Sequence, residues 1–310
     1  MIKAMFKKRP VADNVVSVPA NILFNLIFFV AAACCIYPFL LVISVSFSEM
    51  KSLSSGGYQL IPRVFTADAY KYVFAASSNI INAYGVTLVA TAMGTFLHLA
   101  MVSMFSYPLS RPEFEFRGFY MKFLLIPMLF SGGMVPWYIV CTQFLKLGDT
   151  MGALIVPYAF SGWNAVMMNV FIRKNIPTEM IEAARMDGSS EFKTYLRIVL
   201  PLSKAGLAAI GYMVAIGYWN DWWLPTIFIR SQRLHNLQYM LYRIMAMTTV
   251  LSNMVRTGGN LSAAERMSQS IPQESLRMAM VVIAVGPIVF AYPFFQRQFV
   301  KGLVVGSLKG

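Results

Sequence analysis

Charge is what this chain has least of. Only 13% of its 310 residues are Asp, Glu, Lys or Arg, about half the share in a soluble globular domain. Acidic side chains are the scarcer kind, 13 against 26 basic ones, for a formal net charge of +13. There are three cysteines and two histidines. Cys34 and Cys35 are neighbours and Cys141 stands alone, so there is neither a disulfide framework nor a zinc spacing. His98 and His235 are far apart, which suggests no metal site. The phosphate-loop pattern G-x-x-x-x-G-K-[ST] is missing, so the chain does not bind ATP by that means. A membrane enzyme would want His, Asp or Glu clustered at one interface. A secondary transporter would want inverted repeats and intramembrane coupling charges. Neither pattern is evident.

What is abundant is apolar length: 57% of residues are hydrophobic. Residues 14–48, 72–110, 123–145, 150–172 and 278–296 contain no charge at all, and 205–229 contains only Asp221. About 20 apolar residues in a helix cross a hydrocarbon core about 30 Å thick. In lipid the backbone must satisfy its own hydrogen bonds, and these runs are continuous rather than alternating. They predict an all-α, polytopic integral membrane protein with six transmembrane helices, near 22–47, 80–105, 119–144, 151–172, 205–229 and 278–295. The first run follows Lys3, Lys7, Lys8 and Arg9, as a secretory leader would. It is longer than the 7–15 apolar residues of a leader core, so we expect it to remain as a helix.

The basic excess then suits a membrane chain better than a nucleic-acid binder, and no nucleic acid is expected as partner. With both ends on one side, 16 of the 26 basic residues fall on that side, as expected of the cytoplasmic face. The expected organisation is a cytoplasmic segment 1–21, a membrane domain 22–300 and a cytoplasmic tail 301–310. A long outer loop, 230–277, holds six of the ten remaining basic residues. In it "LQYMLYRIMAMT" reads as an amphipathic surface helix and "RTGGNLSAAERMSQS" as a flexible loop.

One stretch is unlike the rest. Residues 173–204 form an inner loop containing "MIEAARMDGSSEFKTYLRIVLPL". Pro177 and Thr178 suit a helix start, the Thr hydroxyl accepting from a free N–H. Glu179 and Glu182 suit the positive end of the helix dipole. Met180, Ala183, Ala184 and Asp187 share one face, and Glu182 is expected to pair with Arg185 three residues on. Gly188 sits where a left-handed residue would end the helix. Ser189 or Ser190 can cap a second helix, with Phe192, Tyr195, Leu196 and Val199 along one side, and Pro201 marks the bend into the next span. A short helix with a small-residue face and charged flanks is suited to a groove in another protein.

This segment resembles the EAA loop of binding-protein-dependent ABC importer permeases. That pattern is Glu-Ala-Ala, three residues, Gly, nine residues, then Ile-x-Leu-Pro. Here it is Glu182-Ala183-Ala184, Gly188 and Ile198-Val199-Leu200-Pro201, with both gaps matching. The resemblance covers nearly the whole chain. "MVSMFSYPLSR" is similar to the family's ending of the second helix, with Ser106 in place of the usual Ala. "YWNDWWLP" is similar to its Trp-Asn segment in helix five, and "YPFFQRQFVKGLVVGSLKG" to the C-terminal signature of maltose-type sugar permeases. Within that group, "SGGMVPWYIV" and "LQYMLYRI" resemble the branch handling oligosaccharides and polysaccharide fragments.

The resemblance implies a type I ABC importer permease fold with a cytoplasmic coupling helix. Glu182, Ala183, Ala184, Asp187, Gly188, Ile198, Leu200 and Pro201 would carry ATPase coupling. It implies a bacterial cytoplasmic membrane protein with both termini inside. Its partners would be a second permease subunit, two cytoplasmic ATPase subunits, an extracytoplasmic solute-binding protein, membrane lipid and an oligosaccharide. ATP and Mg would sit on the ATPases, with no cofactor on this chain. A permease for amino acids or phosphate is the alternative within the family.

A substrate path is less plainly written. Gly132, Gly133 and Pro136 in "SGGMVPWY" would break helix three about midway; such a break either lines a cavity or is a packing kink. Trp163 and Asn164 could stack on and hydrogen-bond a sugar, although Asn in a bundle more often bonds a neighbouring helix. Asp221, beside Asn220, is expected about 24 Å along helix five among Trp219, Trp222 and Trp223, as in an interfacial aromatic belt. An interfacial, structural Asp is favoured there over a substrate contact.

Overall fold

The computed structural model describes residues 18–76, 80–256 and 274–289. Among these the structure is helical, with one isolated extended bridge, Ser48 to Phe65. Expectations for the basic residues before 18, for "RTGGNLSAAERMSQS" beyond Arg256, for the sixth helix beyond 289 and for the tail lie outside the described residues. The chain divides into two compact units.

The first unit comprises Met1–Lys71 and Pro272–Val282. Its long helix, α1 (Val18–Ser46), contains no charged residue. The helix is bare: Phe28 and Phe29 are 70% and 72% exposed. A continuous apolar surface of this kind requires lipid or an apolar partner around it. The end of α1 is fastened by aromatic packing. Phe47 stacks on Phe65 at 5.1 Å and on Tyr70 at 4.8 Å, and the Thr66 N–H donates to the Phe47 carbonyl at 2.8 Å. Two short helices follow, α2 (Met50–Gly56) and α3 (Asp68–Ala76).

The second unit comprises Tyr72–Ile271 and Ile283–Gly310. Its axis is α4 (Ile80–Ser110). There follow α5 (Arg117–Leu129) and α6 (Met134–Ile139), which continues in a wide turn, Val140–Phe144. Next come α7 (Met151–Ile155) with a tight turn, Val156–Tyr158, then α8 (Gly162–Asn175) and α9 (Thr178–Met186). After these are α10 (Glu191–Thr194), a wide turn Tyr195–Val199, α11 (Leu200–Leu202) and α12 (Lys204–Trp219). The last named elements are α13 (Trp223–Phe228) and α14 (Leu237–Arg256). Residues 274–289 are also helical.

Helices α8 and α12 pack against α4, and small residues let them approach. A Cβ on Gly94 of α4 would lie 2.5 Å from the Tyr218 ring of α12, and between α12 and α8 one on Gly206 would lie 2.8 Å from Phe171. Polar ties also join these helices to their neighbours, as is common between helices in lipid. Ser106 donates to the Ala165 carbonyl at 2.8 Å between α4 and α8, and Tyr218 ties α12 to α7 by donating to the Ile155 carbonyl at 2.7 Å.

Two helices, α1 and α4, are each long and apolar enough to cross a membrane. Three further candidates are pairs bent at a break: Arg117–Leu129 with Met134–Phe144 by 113°, Met151–Tyr158 with Gly162–Asn175 by 53°, and Glu191–Leu202 with Lys204–Trp219 by 76°. The first bend, at Gly132 and Gly133, is far sharper than a kink. Gly133 has φ +84, a conformation that side chains resist, so the chain turns there instead of continuing. The second break, after Pro157, was not anticipated. In the third pair, Glu191–Leu202 is the second arm of the polar loop, and Lys204–Trp219 carries the apolar run.

Candidate functional site

The polar loop is a helical hairpin, and its first arm departs from expectation in two details. Thr178 is already the first helical residue of α9; Pro177 holds the cap position with no side-chain hydrogen bond. The proline's fixed φ, here −61, sets the entry instead. Arg185 does not turn to Glu182: its Nε donates to Glu191 Oε1 at 2.6 Å. The helix end does follow the sequence. Gly188 has φ +74, its N–H donates to the Arg185 carbonyl, and the Ser189 N–H reaches back to the Ala184 carbonyl, both at 2.9 Å. These two bonds form the left-handed helix ending that glycine accommodates best.

Burial divides the motif into a free half and an anchored half. Ile181 points inward at 1% exposure, whereas Met186 is 89% exposed. Glu182, Ala183, Asp187 and Gly188 are exposed and Ala184 is half-buried. In the second arm Ser190 caps α10, accepting from the Lys193 N–H. Pro201 cannot donate and crowds the carbonyl four residues back. The wide turn at Tyr195–Val199, closed by the Leu200 N–H on the Tyr195 carbonyl, accommodates it. Leu200 packs against the buried core around Val199, Ile198 is half-buried and Pro201 exposed. Phe192 and Leu196 are exposed at 61% and 44%, so only Tyr195 and Val199 of the expected apolar side are buried.

One carboxylate joins this hairpin to α4. The Tyr107 hydroxyl donates to Glu191 Oε2 at 2.7 Å. Burial alone would raise the Glu191 pKa. The hydrogen bonds from Tyr107 and Arg185, with the neighbouring Arg charges, outweigh it and hold the carboxyl below its ordinary range. The hydrogen bond to Glu191 in turn raises Arg185 above its ordinary value, against a smaller opposing effect of burial.

A second feature is a cavity of about 440 Å³ lined by His98, Pro157, Tyr158, Phe160, Ser161, Tyr218, Asn220, Asp221 and Trp222, among others. It lies where two helix breaks meet α4. His98 Nδ1 is 2.8 Å from the Tyr158 carbonyl and Nε2 is 2.9 Å from Asn164 Nδ2. A carbonyl only accepts, so Nδ1 carries the proton and Nε2 accepts from the Asn164 amide: a neutral imidazole. Asp221 is not inside a helix. It sits in the break after Trp219, and its Oδ1 accepts the N–H groups of Trp223 at 2.9 Å and Leu224 at 3.2 Å. It therefore caps α13, while its backbone carbonyl accepts from Asn236. Asn220 is exposed and pairs with Gln238 at 3.4 Å.

The structure brings Asn220 and Asp221 to this cavity, and reaches it with Asn164 through His98. It does not bring Gly132 and Gly133, which are exposed and where an added Cβ would meet nothing within 4 Å, nor Trp163, which is 64% exposed. Sequence reasoning considered His98 only as a metal ligand and passed over Tyr158, Tyr107 and Glu191. A histidine in an otherwise apolar run was the available signal. Among the described residues no group of His, Cys, Asp or Glu can hold a metal ion.

No family model matches the chain. Protein LplC of Bacillus subtilis is 36% identical over 276 residues, covering 89% of this chain and 90% of that protein. The polygalacturonan/rhamnogalacturonan transport system permease protein YtcP of the same organism is 32% identical, covering 90% and 94%. In three dimensions the chain is similar to a solved chain of a bacterial ABC transporter involved in the import of the acidic polysaccharide alginate. The TM-score is 0.75 at 24% identity, over 90% of this chain and 96% of that one.

Proposed function

Because this chain belongs to the permease proteins of carbohydrate ABC transporters, we propose that it moves oligosaccharides inward across the cytoplasmic membrane and that α9 is its coupling helix. It is a transport subunit and not an enzyme; ATP hydrolysis belongs to partner ATPases. On this reading the chain makes six spans with both termini inside. It works with a second permease subunit, two ATPases and an extracytoplasmic solute-binding protein.

One observation carries the coupling role. Glu182, Ala183, Asp187 and Gly188 are uncovered beside an 89% exposed Met186, and they stand on an anchored second arm. An exposed Met on a short helix suits an adaptable apolar contact, and Ala183 leaves the backbone open to close approach. ATP-driven closure of the two ATPases would carry α9 with it and rock the spans between inward-open and outward-open states. Such a shift requires nucleotide to bind the two states with different affinity. The cavity at His98 suits a sugar: hydroxyl-sized polar groups, Ser161 and Asn220, beside Tyr158, Tyr218 and Trp222. Pockets with a few polar groups among aromatic walls are typical ligand sites. Carbohydrate permeases among the relatives, such as the arabinooligosaccharides transport system permease protein AraQ, support an oligosaccharide as cargo.

The test is Ala184→Leu and Gly188→Val in the assembled transporter, reconstituted in vesicles. Both variants should insert and hydrolyse ATP while uptake per ATP falls at least about tenfold, a loss of about 1.4 kcal/mol or more in coupling. Wild-type uptake per ATP in both would refute docking through this face.

A further inference from the structure

Glu191 has both carboxylate oxygens occupied, and by different elements. Oε2 accepts from Tyr107 in the last turns of α4 at 2.7 Å, and Oε1 accepts from Arg185 near the end of α9 at 2.6 Å. Glu191 itself opens α10, so three elements meet at one group. Charge-assisted bonds of this kind are the stronger and more directional ones.

A second tie runs alongside. Ser103 donates its hydroxyl proton to the Leu99 carbonyl at 2.6 Å, so the 2.8 Å bond between Ser103 and Tyr195 has the Tyr195 hydroxyl as donor. The Tyr107 and Tyr195 rings lie 5.8 Å apart. Beside these ties a cavity of about 470 Å³ opens between the end of α4 and the hairpin. Ile181, Tyr195 and Val199 root the hairpin in the same apolar core as Val102 and Leu109 of α4, but at the Arg185–Glu191 end, which borders the cavity, the polar bonds do the fastening. Helix α4 then runs on to the other feature. His98, which lines the cavity of about 440 Å³, is nine residues from Tyr107 on the same helix, about 14 Å along its axis.

Resting on the coupling role proposed above, we propose that Tyr107 and Glu191 are positioning residues that lock α9 to α4 as one rigid body. A displacement imposed on α9 then reaches the cavity undiminished. With the apolar core alone, the Arg185–Glu191 end of the hairpin would be free to shift beside the cavity and lose part of that displacement. Tyr107 and Glu191 touch neither nucleotide nor cargo; they act through Arg185 and through α4.

The lock is read by pulsed electron resonance between spin labels at Glu179→Cys on α9 and Phe96→Cys on α4, both exposed, with Cys34, Cys35 and Cys141 replaced by Ala. The tagged chain is purified from its host membranes with bound partners, nucleotide-free and with ATP plus vanadate. The expected result is a single narrow distance that is the same in both states. Tyr107→Phe, which keeps the ring and removes one hydroxyl, should broaden that distance and make it state-dependent, at unchanged thermal stability. Glu191→Gln should do the same to a lesser degree, since its amide oxygen still accepts from Tyr107. A wild-type distance that changes with nucleotide, or a Tyr107→Phe distribution as narrow as wild type, would overturn the lock. The same comparison in the isolated chain in lipid nanodiscs reads the lock without partners. Absence of any nucleotide-hydrolysing protein from the purified material would instead overturn the coupling role.

Discussion

The hairpin and the His98 cavity are built on opposite plans. In the hairpin the informative residues are close in sequence, exposed and charged. Their positions follow from local rules: a proline entry, a left-handed glycine, a serine cap. The cavity gathers residues 98, 158, 161, 218 and 221 from three separate stretches of the chain, and its polar groups are neutral or occupied as caps. A surface that docks on another protein keeps its groups free, whereas a cavity inside a bundle satisfies them within the chain, because a buried unpaired polar group is costly. The contrast teaches where each will tolerate change: the hairpin fails by bulk and backbone, the cavity by lost hydrogen bonds.

The comparison sharpens most at Gly188. Gly188→Asn, which tolerates positive φ, should keep most of the uptake that Gly188→Val abolishes, although both add a side chain where nothing stands within 4 Å. Equal loss in both would shift the cause from backbone to contact with a partner. A middling effect is expected in the cavity. His98→Ala leaves the Asn164 amide and the Tyr158 carbonyl without their partner. Interhelical hydrogen bonds in membranes are worth about 0.6 kcal/mol each and up to about 1.7. Sugar affinity of the assembled transporter should weaken by about three- to tenfold, with uptake per ATP unchanged. A fall in uptake per ATP with affinity intact would erase the distinction between the two regions.

The smallest effect is expected at Asp149, outside both. Its carboxylate accepts the backbone N–H groups of Ser231 at 2.9 Å and Arg230 at 3.0 Å. These bonds hold its pKa below the ordinary carboxylate value. A depressed folded pKa contributes stability that is present above the unfolded pKa of about 3.9 and lost as pH falls through the lower folded value. Hydrogen exchange at Arg230 and Ser231 should accelerate only under such acid conditions, and Asp149→Asn should remove that pH dependence. Acceleration in the neutral range would show that another group holds this turn.

Much of the hairpin could be read from the residues, because its constraints act over a few positions. Gly188 and Ser190 do what their spacing implied. Arg185 departs from its helix-local spacing to Glu182 because its partner, Glu191, lies across the turn, where spacing along one helix carries no information. Helix α1 followed directly from its charge-free length. The cavity was largely illegible: Asp221 read as a helix residue because its apolar neighbours hid the break that it caps. The break after Pro157 was hidden in the same way. Gly132 and Gly133 carried a real turn signal, but where a turn points depends on packing that neither residue encodes.

The central claim is that the Glu182–Gly188 face meets an ATPase. It is tested most directly by a photoreactive crosslinker on Ala183→Cys, in a background lacking the three native cysteines, in native membranes. The account predicts one dominant adduct, a cytoplasmic nucleotide-hydrolysing subunit, captured with a yield that changes when ATP and vanadate are added. Adducts to lipid alone, with no such subunit at any nucleotide state, would contradict it.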